Sequence, residues 1–228
     1  MVPQNEARQV RIRFTKTGSL MYISHLDLSR TMQRIMVRAG IDIWYSEGFN
    51  PQPRIVFAVP LPVGVESECE LMDIKINSFM EFDEIKRRLN YNFPTEMRVT
   101  EVYEPVEKPK NVVYILHEIK IHSEKITENT ATELEGLFSN DVFVTKKAKG
   151  SEKEINIKEF ISSLKVDYDG EDIVINAVLC AGNDKSLNPE LLVEAIRKNT
   201  DIFDTDLISS FYSIKRLKML RADLSEFR

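Results

Sequence analysis

Val10-Arg-Ile-Arg-Phe-Thr-Lys16 and, a few residues on, Ser24-His-Leu-Asp-Leu-Ser-Arg-Thr-Met-Gln-Arg-Ile-Met-Val-Arg-Ala-Gly40 decide the fold class. In the first stretch Val10, Ile12 and Phe14 alternate with Arg11, Arg13 and Thr15, the period of two that marks a half-buried strand. In the second, Leu28, Met32, Ile35, Met36 and Ala39 fall on one side of a 3.6-residue helix, which therefore needs an apolar surface to lie on. Ser24 stands at the N-cap with Asp27 three residues on, in the capping-box position. Gly40 follows the last apolar position, where a left-handed residue ends a helix. A strand feeding a one-sided helix opens an α+β sandwich.

Working outward, strands are expected near 41–45, 54–59 and 69–76, a helix over 82–91 and a strand over 98–103. Glu104-Pro-Val-Glu-Lys-Pro-Lys-Asn111 is polar and broken by two prolines, the composition of a linker. A second series follows, with strands at 111–122 and 142–146, a helix over 128–139 and a strand at 172–181. A helix over 188–199 has Pro189 at its first position, and an extended segment over 208–217 closes the chain. Both halves have roughly the order of a βαββαβ unit. The expected architecture is two tandem ferredoxin-like sandwiches with mostly antiparallel sheets, in domains 1–104 and 111–228.

The chain has 228 residues, 43% of them apolar, enough for one large or two small cores. It contains no 18-residue apolar run and no charged-then-apolar leader, so no membrane span is expected and a cytoplasmic location is. Two cysteines and three scattered histidines match no disulfide framework and no structural zinc spacing, so no metal and no cofactor are expected. The net charge is −5, which argues against a general nucleic-acid binder. Residues 1–64, however, hold eight Lys and Arg against four acids. A localised excess of this kind steers an anionic partner to one face of an acidic protein.

That basic segment also contains the sequence's unusual stretch. Residues 19–67 hold three of the eight glycines, four of the nine prolines and the only tryptophan. Gly48-Phe-Asn-Pro-Gln-Pro-Arg54 joins two apolar segments as a shaped surface loop, the type of element that carries function. Arg30, Arg34 and Arg38 recur every four residues on the helix face opposite the apolar stripe and make a phosphate comb, with Arg11 and Arg13 on the preceding strand as neighbours. Trp44, Tyr45 and Phe49 bracket the Gly48 turn as stacking candidates, Trp44 read rather as core and Phe49 as the better exposed, while Asn50 and Gln52 offer amides that read a polar edge and Arg54 stands at the base. The plain alternative for the arginine row is a solvated helix face. His25 sits at the helix N-terminus, where the dipole favours neutral imidazole, and is the candidate general acid or base. Ser24-His25 and Asp27 do not form a triad, since neighbours on a turn point apart.

Tyr22-Ile-Ser-His-Leu-Asp-Leu-Ser-Arg30, Tyr45-Ser-Glu-Gly-Phe-Asn-Pro-Gln-Pro-Arg54 and Leu61-Pro-Val-Gly-Val-Glu-Ser67 resemble the bacterial family of radical SAM-linked proteins, a domain of unknown function. The resemblance is strong over residues 8–76 and looser afterwards. It implies that a radical SAM protein, fused or encoded nearby, is the partner. Members of that family frequently carry His where this chain has Asn50 and Gln52, so no metal or acid-base role is carried over to those positions. Cys69 and Cys180, 111 positions apart, cannot supply a three-thiolate iron–sulfur site, so this chain is expected to be an accessory and not the catalyst. The layout is also similar to the tandem ferredoxin-like RNA-processing proteins of CRISPR systems. The expected function is an accessory binding module that presents RNA to a partner enzyme. The alternatives are a metal-independent ribonuclease using His25 and a purely protein–protein subunit docking on the radical SAM partner.

Overall fold

The computed structural model describes residues 7–148, 151–182, 184–203 and 209–228. These form an α+β structure of antiparallel strands with four α-helices among the described residues. They divide into two units, Met1–Asn111 with Arg228, and Val112–Phe227.

In the first unit the order is β1 (Arg8–Lys16), α1 (His25–Arg38), β2 (Ile55–Phe57), β3 (Val65–Ile76), α2 (Phe82–Asn92) and β4 (Met97–Tyr103). The strands lie in the order β4-β1-β3-β2, every pair antiparallel. Alternation in β1 does what its pattern predicts on one side. Val10, Ile12 and Phe14 are buried in a cluster with Leu28, Met32, Ile35 and Met36 of α1 and Ile85 and Leu89 of α2, so both helices cover that face of the sheet. α1 is capped as its sequence indicates. Ser24 accepts a hydrogen bond from the Asp27 backbone N–H at 3.1 Å, and Gly40 beyond the last turn has φ of 65°.

Segment 41–45, expected as a strand, makes only single bridges, Ile43 to Ile76 and Tyr45 to Pro53. The reason lies in the loop that follows, which closes on Tyr45 and turns the chain away before a ladder can form. Segment 104–111 is not merely a spacer either. The Glu107 carbonyl accepts from Arg11 at 2.8 Å, and Pro109–Asn111 is a 3-10 turn.

In the second unit the order is β5 (Tyr114–Ser123), α3 (Thr130–Ser139), β6 (Phe143–Ala148), β7 (Ser151–Asn156), β8 (Ile161–Tyr168), β9 (Asp172–Cys180), α4 (Glu190–Asn199) and β10 (Ser210–Leu220). The strand order is β10-β5-β9-β8, again antiparallel, and β6 and β7 form a separate hairpin. Sequence patterning assigned nothing to β7 or β8. β8 begins with a register irregularity between Ile161 and Ser163, which breaks the alternation a strand reading depends on. Pro189 stands at the N-cap of α4 and not at its first turn. The start of the last strand, expected at 208, lies outside the described residues. No helix among the described residues is long and apolar enough to cross a membrane.

Candidate functional site

α1 turns Leu28, Met32, Ile35 and Met36 to the core, which by helical geometry puts Arg30, Arg34, Val37 and Arg38 outside. Against this outer face lies an open cavity of about 660 Å³ lined by Thr31, Gln33, Arg34, Val37, Arg38 and Tyr45. Among the described residues its wall contains two guanidiniums, a phenol ring, the Val37 side chain and the polar side chains of Thr31 and Gln33, and no carboxylate. The Arg38 guanidinium donates to the Asn92 carbonyl at the end of α2, at 3.2 Å, which fixes its direction. Among the described residues no hydrogen bond or ion pair engages the Arg34 side chain. Arg30, the third of the expected row, does not line the cavity and lies 3.8 Å from Asp27, one turn back.

The wall's aromatic residue comes from the base of the Gly-Pro loop. Tyr45 bridges Pro53, the Ser46 N–H donates to the Gln52 carbonyl at 2.9 Å, and the Gln52 N–H donates to Ser46 Oγ at 2.9 Å. Below them the Arg54 N–H bonds the Trp44 carbonyl at 3.0 Å, and the Trp44 N–H bonds the Lys75 carbonyl at 2.8 Å. Gly48 has φ of 122°, which side-chain-bearing residues rarely adopt, so the turn needs glycine for its backbone and not for space. At the tip Phe49 has a relative exposure of 112%, and Asn50, Gln52 and Arg54 are also exposed. The structure therefore brings Arg34 and Arg38 together with the base of the loop.

It does not bring in Arg11 and Arg13. These alternate with the core-facing residues of β1, so they point to the face of the sheet opposite α1. Arg11 is buried, its guanidinium donating to both oxygens of Asp73 at 2.6 and 2.8 Å and to the Glu107 and Arg228 carbonyls. Arg13 pairs with Glu101 at 3.4 Å. Neither forms part of a surface with α1. The patterning that suggested them shows alternation but not whether the second face of a sheet is open.

His25 is exposed and stands edge-on to Phe57, ring centroids 5.0 Å apart. Ser24 Oγ donates to the Asp27 carboxylate at 2.7 Å, so that pair completes the helix cap and no carboxylate orients the imidazole among the described residues. That leaves His25 without the hydrogen-bonded orienting group that a general base normally has. Among the described residues no three His, Cys, Asp or Glu side chains converge as a metal site.

Thr31, Gln33 and Val37 were not singled out as site residues from sequence. Helical geometry carried the signal for them, because Thr31 and Val37 each stand three residues from Arg34, and Gln33 four from Val37, on one surface. A second cavity of about 620 Å³ lies in the second unit against α3, and its wall mixes Lys125 with Glu133 and Asp201. Charge, more than size, separates the two.

The chain belongs to a bacterial family described as "Uncharacterized protein conserved in bacteria (DUF2344)", which matches residues 9–189. No curated protein matches it. Among solved structures it is similar to one described as "Crystal Structure of a Cbf5-Nop10-Gar1 Complex", at 7% identity and a TM-score of 0.50, covering 92% of this chain and 48% of that one. Another, "Structure of H/ACA RNP bound to a substrate RNA containing 2'-deoxyuridine", matches at 7% identity and a TM-score of 0.47, covering 92% and 47%. The chain thus spans about half the length of these structures, and the likeness is one of α+β fold.

Proposed function

We propose that this DUF2344 member is a binding module that takes RNA on the outer face of α1 and the 46–52 loop and presents it to a partner enzyme. One observation carries the reading, the cavity of about 660 Å³ in which Arg34 and Arg38 stand beside the Tyr45 ring with no acid in the wall among the described residues. Guanidiniums grip phosphate with paired donors, and an aromatic ring stacks on any base, so the two together form the usual binding pair for a nucleic-acid strand. The partner we assign is the radical SAM protein, on the strength of the three motifs within residues 19–67. The strand orders β4-β1-β3-β2 and β10-β5-β9-β8 support reading each unit as ferredoxin-like, with the β6–β7 hairpin an insertion in the second.

Titration of labelled RNA by fluorescence anisotropy, repeated across salt concentrations, tests the RNA reading. Replacing Arg34 and Arg38 together by Gln should weaken binding and flatten the log–log salt dependence by about 0.7 for each phosphate no longer held. The fold should be unaffected, because both side chains point away from the core. A variant with unchanged affinity and slope overturns the site, and a wild-type protein without RNA affinity at low salt overturns the function. Partner assignment is tested separately, by co-elution with the radical SAM protein in the presence and absence of RNA. Failure there removes the partner and leaves RNA binding standing.

A further inference from the structure

We infer that the RNA this surface takes is an unpaired strand, with one base stacked on Phe49 and a neighbouring base entering the cavity against Tyr45. The inference rests on the RNA reading above and specifies its substrate class. Its first support is Phe49. Hydrogen bonds between Ser46 and Gln52 close the loop below it, and two prolines restrict the chain beside it, yet the ring stands fully exposed at 112%. Held there, the ring offers both of its apolar faces to a planar partner.

The second support is the cavity. Its volume of about 660 Å³ is in the range that encloses a small planar ligand. Tyr45, 45% exposed, offers its ring from the side where the loop begins. Thr31 and Gln33 supply hydroxyl and amide groups for a base edge, and Val37, 68% exposed, gives the cavity an apolar patch. Arg34 and Arg38 lie one helical turn apart, about 6 Å along the axis, and so can follow successive phosphates of one strand.

Together these features discriminate between RNA forms. A duplex could satisfy the two arginines with backbone phosphates, but its bases are stacked inside an A-form helix whose major groove is too deep and narrow to admit side chains. Phe49 and Tyr45 would then remain in water. An unpaired strand engages the cations and both rings at once. In the second unit's cavity Glu133 and Asp201 offset Lys125, and among the described residues no aromatic ring lines the wall.

The experiment compares the full chain's affinity for a single-stranded RNA of about a dozen nucleotides with that for the same sequence annealed to its complement, using the wild type and the Phe49→Ala and Tyr45→Ser variants. A 2-aminopurine in the single strand reports stacking directly. The strand should bind at least about tenfold more tightly than the duplex, with quenching of the probe. Phe49→Ala should weaken the strand by about 5- to 150-fold and leave both the duplex affinity and the salt slope unchanged. Phe49→Ala takes away a ring that lies in water and so keeps its fold; Tyr45→Ser is compared at matched melting temperature. Equal or tighter binding of the duplex, or a Phe49→Ala variant that binds and quenches like wild type, overturns the inference while RNA binding stands. Absence of binding to either form at low salt overturns the RNA reading itself and favours a protein occupant for the loop.

Discussion

Arg11 has its guanidinium inside the protein against both oxygens of Asp73, whereas Arg34 stands open on α1. The side chains at the Arg11–Asp73 pair are 0% and 5% exposed, so removing one partner strands a charge where water cannot reach it. Arg11→Met should lower stability by about 3–5 kcal/mol in urea unfolding, and adding Asp73→Leu should recover most of that loss. A double variant no more stable than the single would show that the pair is not what Arg11 contributes. RNA affinity should not respond to Arg11 at all except through stability. His117 is a second buried ionisable group, 2% exposed and paired in register with Arg216. Burial first, and then the neighbouring guanidinium, pull its pKa from 6.5 down to about 3. Between those values the unfolded chain holds a proton that the folded chain refuses, so stability is lost as pH falls through this window, by up to about 1.4 kcal/mol per pH unit. His117→Gln should make the plot of unfolding free energy against pH shallower between pH 6 and 4, and parallel plots would refute the assignment. Sequence could mark Arg11 and His117 as residues of strands. It could not say that Arg11 is inside, because that depends on what lies over the second face of a sheet, whereas His117 shares the buried face of its strand with Ile115, Ile119 and Ile121.

Elements were legible wherever pattern and punctuation agreed. α1 has an apolar stripe, an N-cap and a terminal glycine, all pointing to one set of boundaries, and the helix runs as they indicate. Met32 and Ile35 on that stripe have no exposed surface. Met32→Asp should therefore destabilise by roughly 3 kcal/mol or more, seen as a loss of several degrees in melting temperature, because the new carboxylate has no partner there. An unchanged melting temperature would mean that the stripe does not face the sheet. β8 shows the opposite case. Ile161-Ser-Ser-Leu has its alternation broken by one residue, the pairing shifts at that point, and no local signal identifies the strand. Segment 41–45 alternates well yet pairs only through single bridges, because tertiary context, here the closure of the next loop, decides what a short apolar run becomes.

The whole chain repeats an architecture without repeating its charge. α1 and α3 each follow the first strand of their unit, and each lies beside a cavity of similar volume, about 660 and 620 Å³. α1 presents Arg34 and Arg38, whereas α3 presents Glu133 beside Lys125 and Asp201. If the electrostatic attraction is confined to the first unit, Lys125→Gln should leave both RNA affinity and the salt slope within error of wild type, against a fall of about 0.7 per phosphate for the arginine variants. A comparable loss from Lys125 would spread the interface over the second unit. The excess of Lys and Arg in residues 1–64 and the order of elements were legible, since both are properties of the chain itself. The cavities were not, because only folding sets Tyr45 against α1 in the one and residues 199–202 against α3 in the other.

The hydrogen bonds that close the 46–52 loop bear on the thermodynamics of encounter. A loop that already holds its shape has given up its conformational freedom during folding, so little of the binding free energy is spent ordering the protein. The entropy lost on capture then belongs almost wholly to the ligand. On the proposed RNA reading, discrimination among ligands then shifts from how well the protein can adapt to how readily each candidate strand gives up its own stacking, so that flexible, weakly stacked sequences are favoured over structured ones.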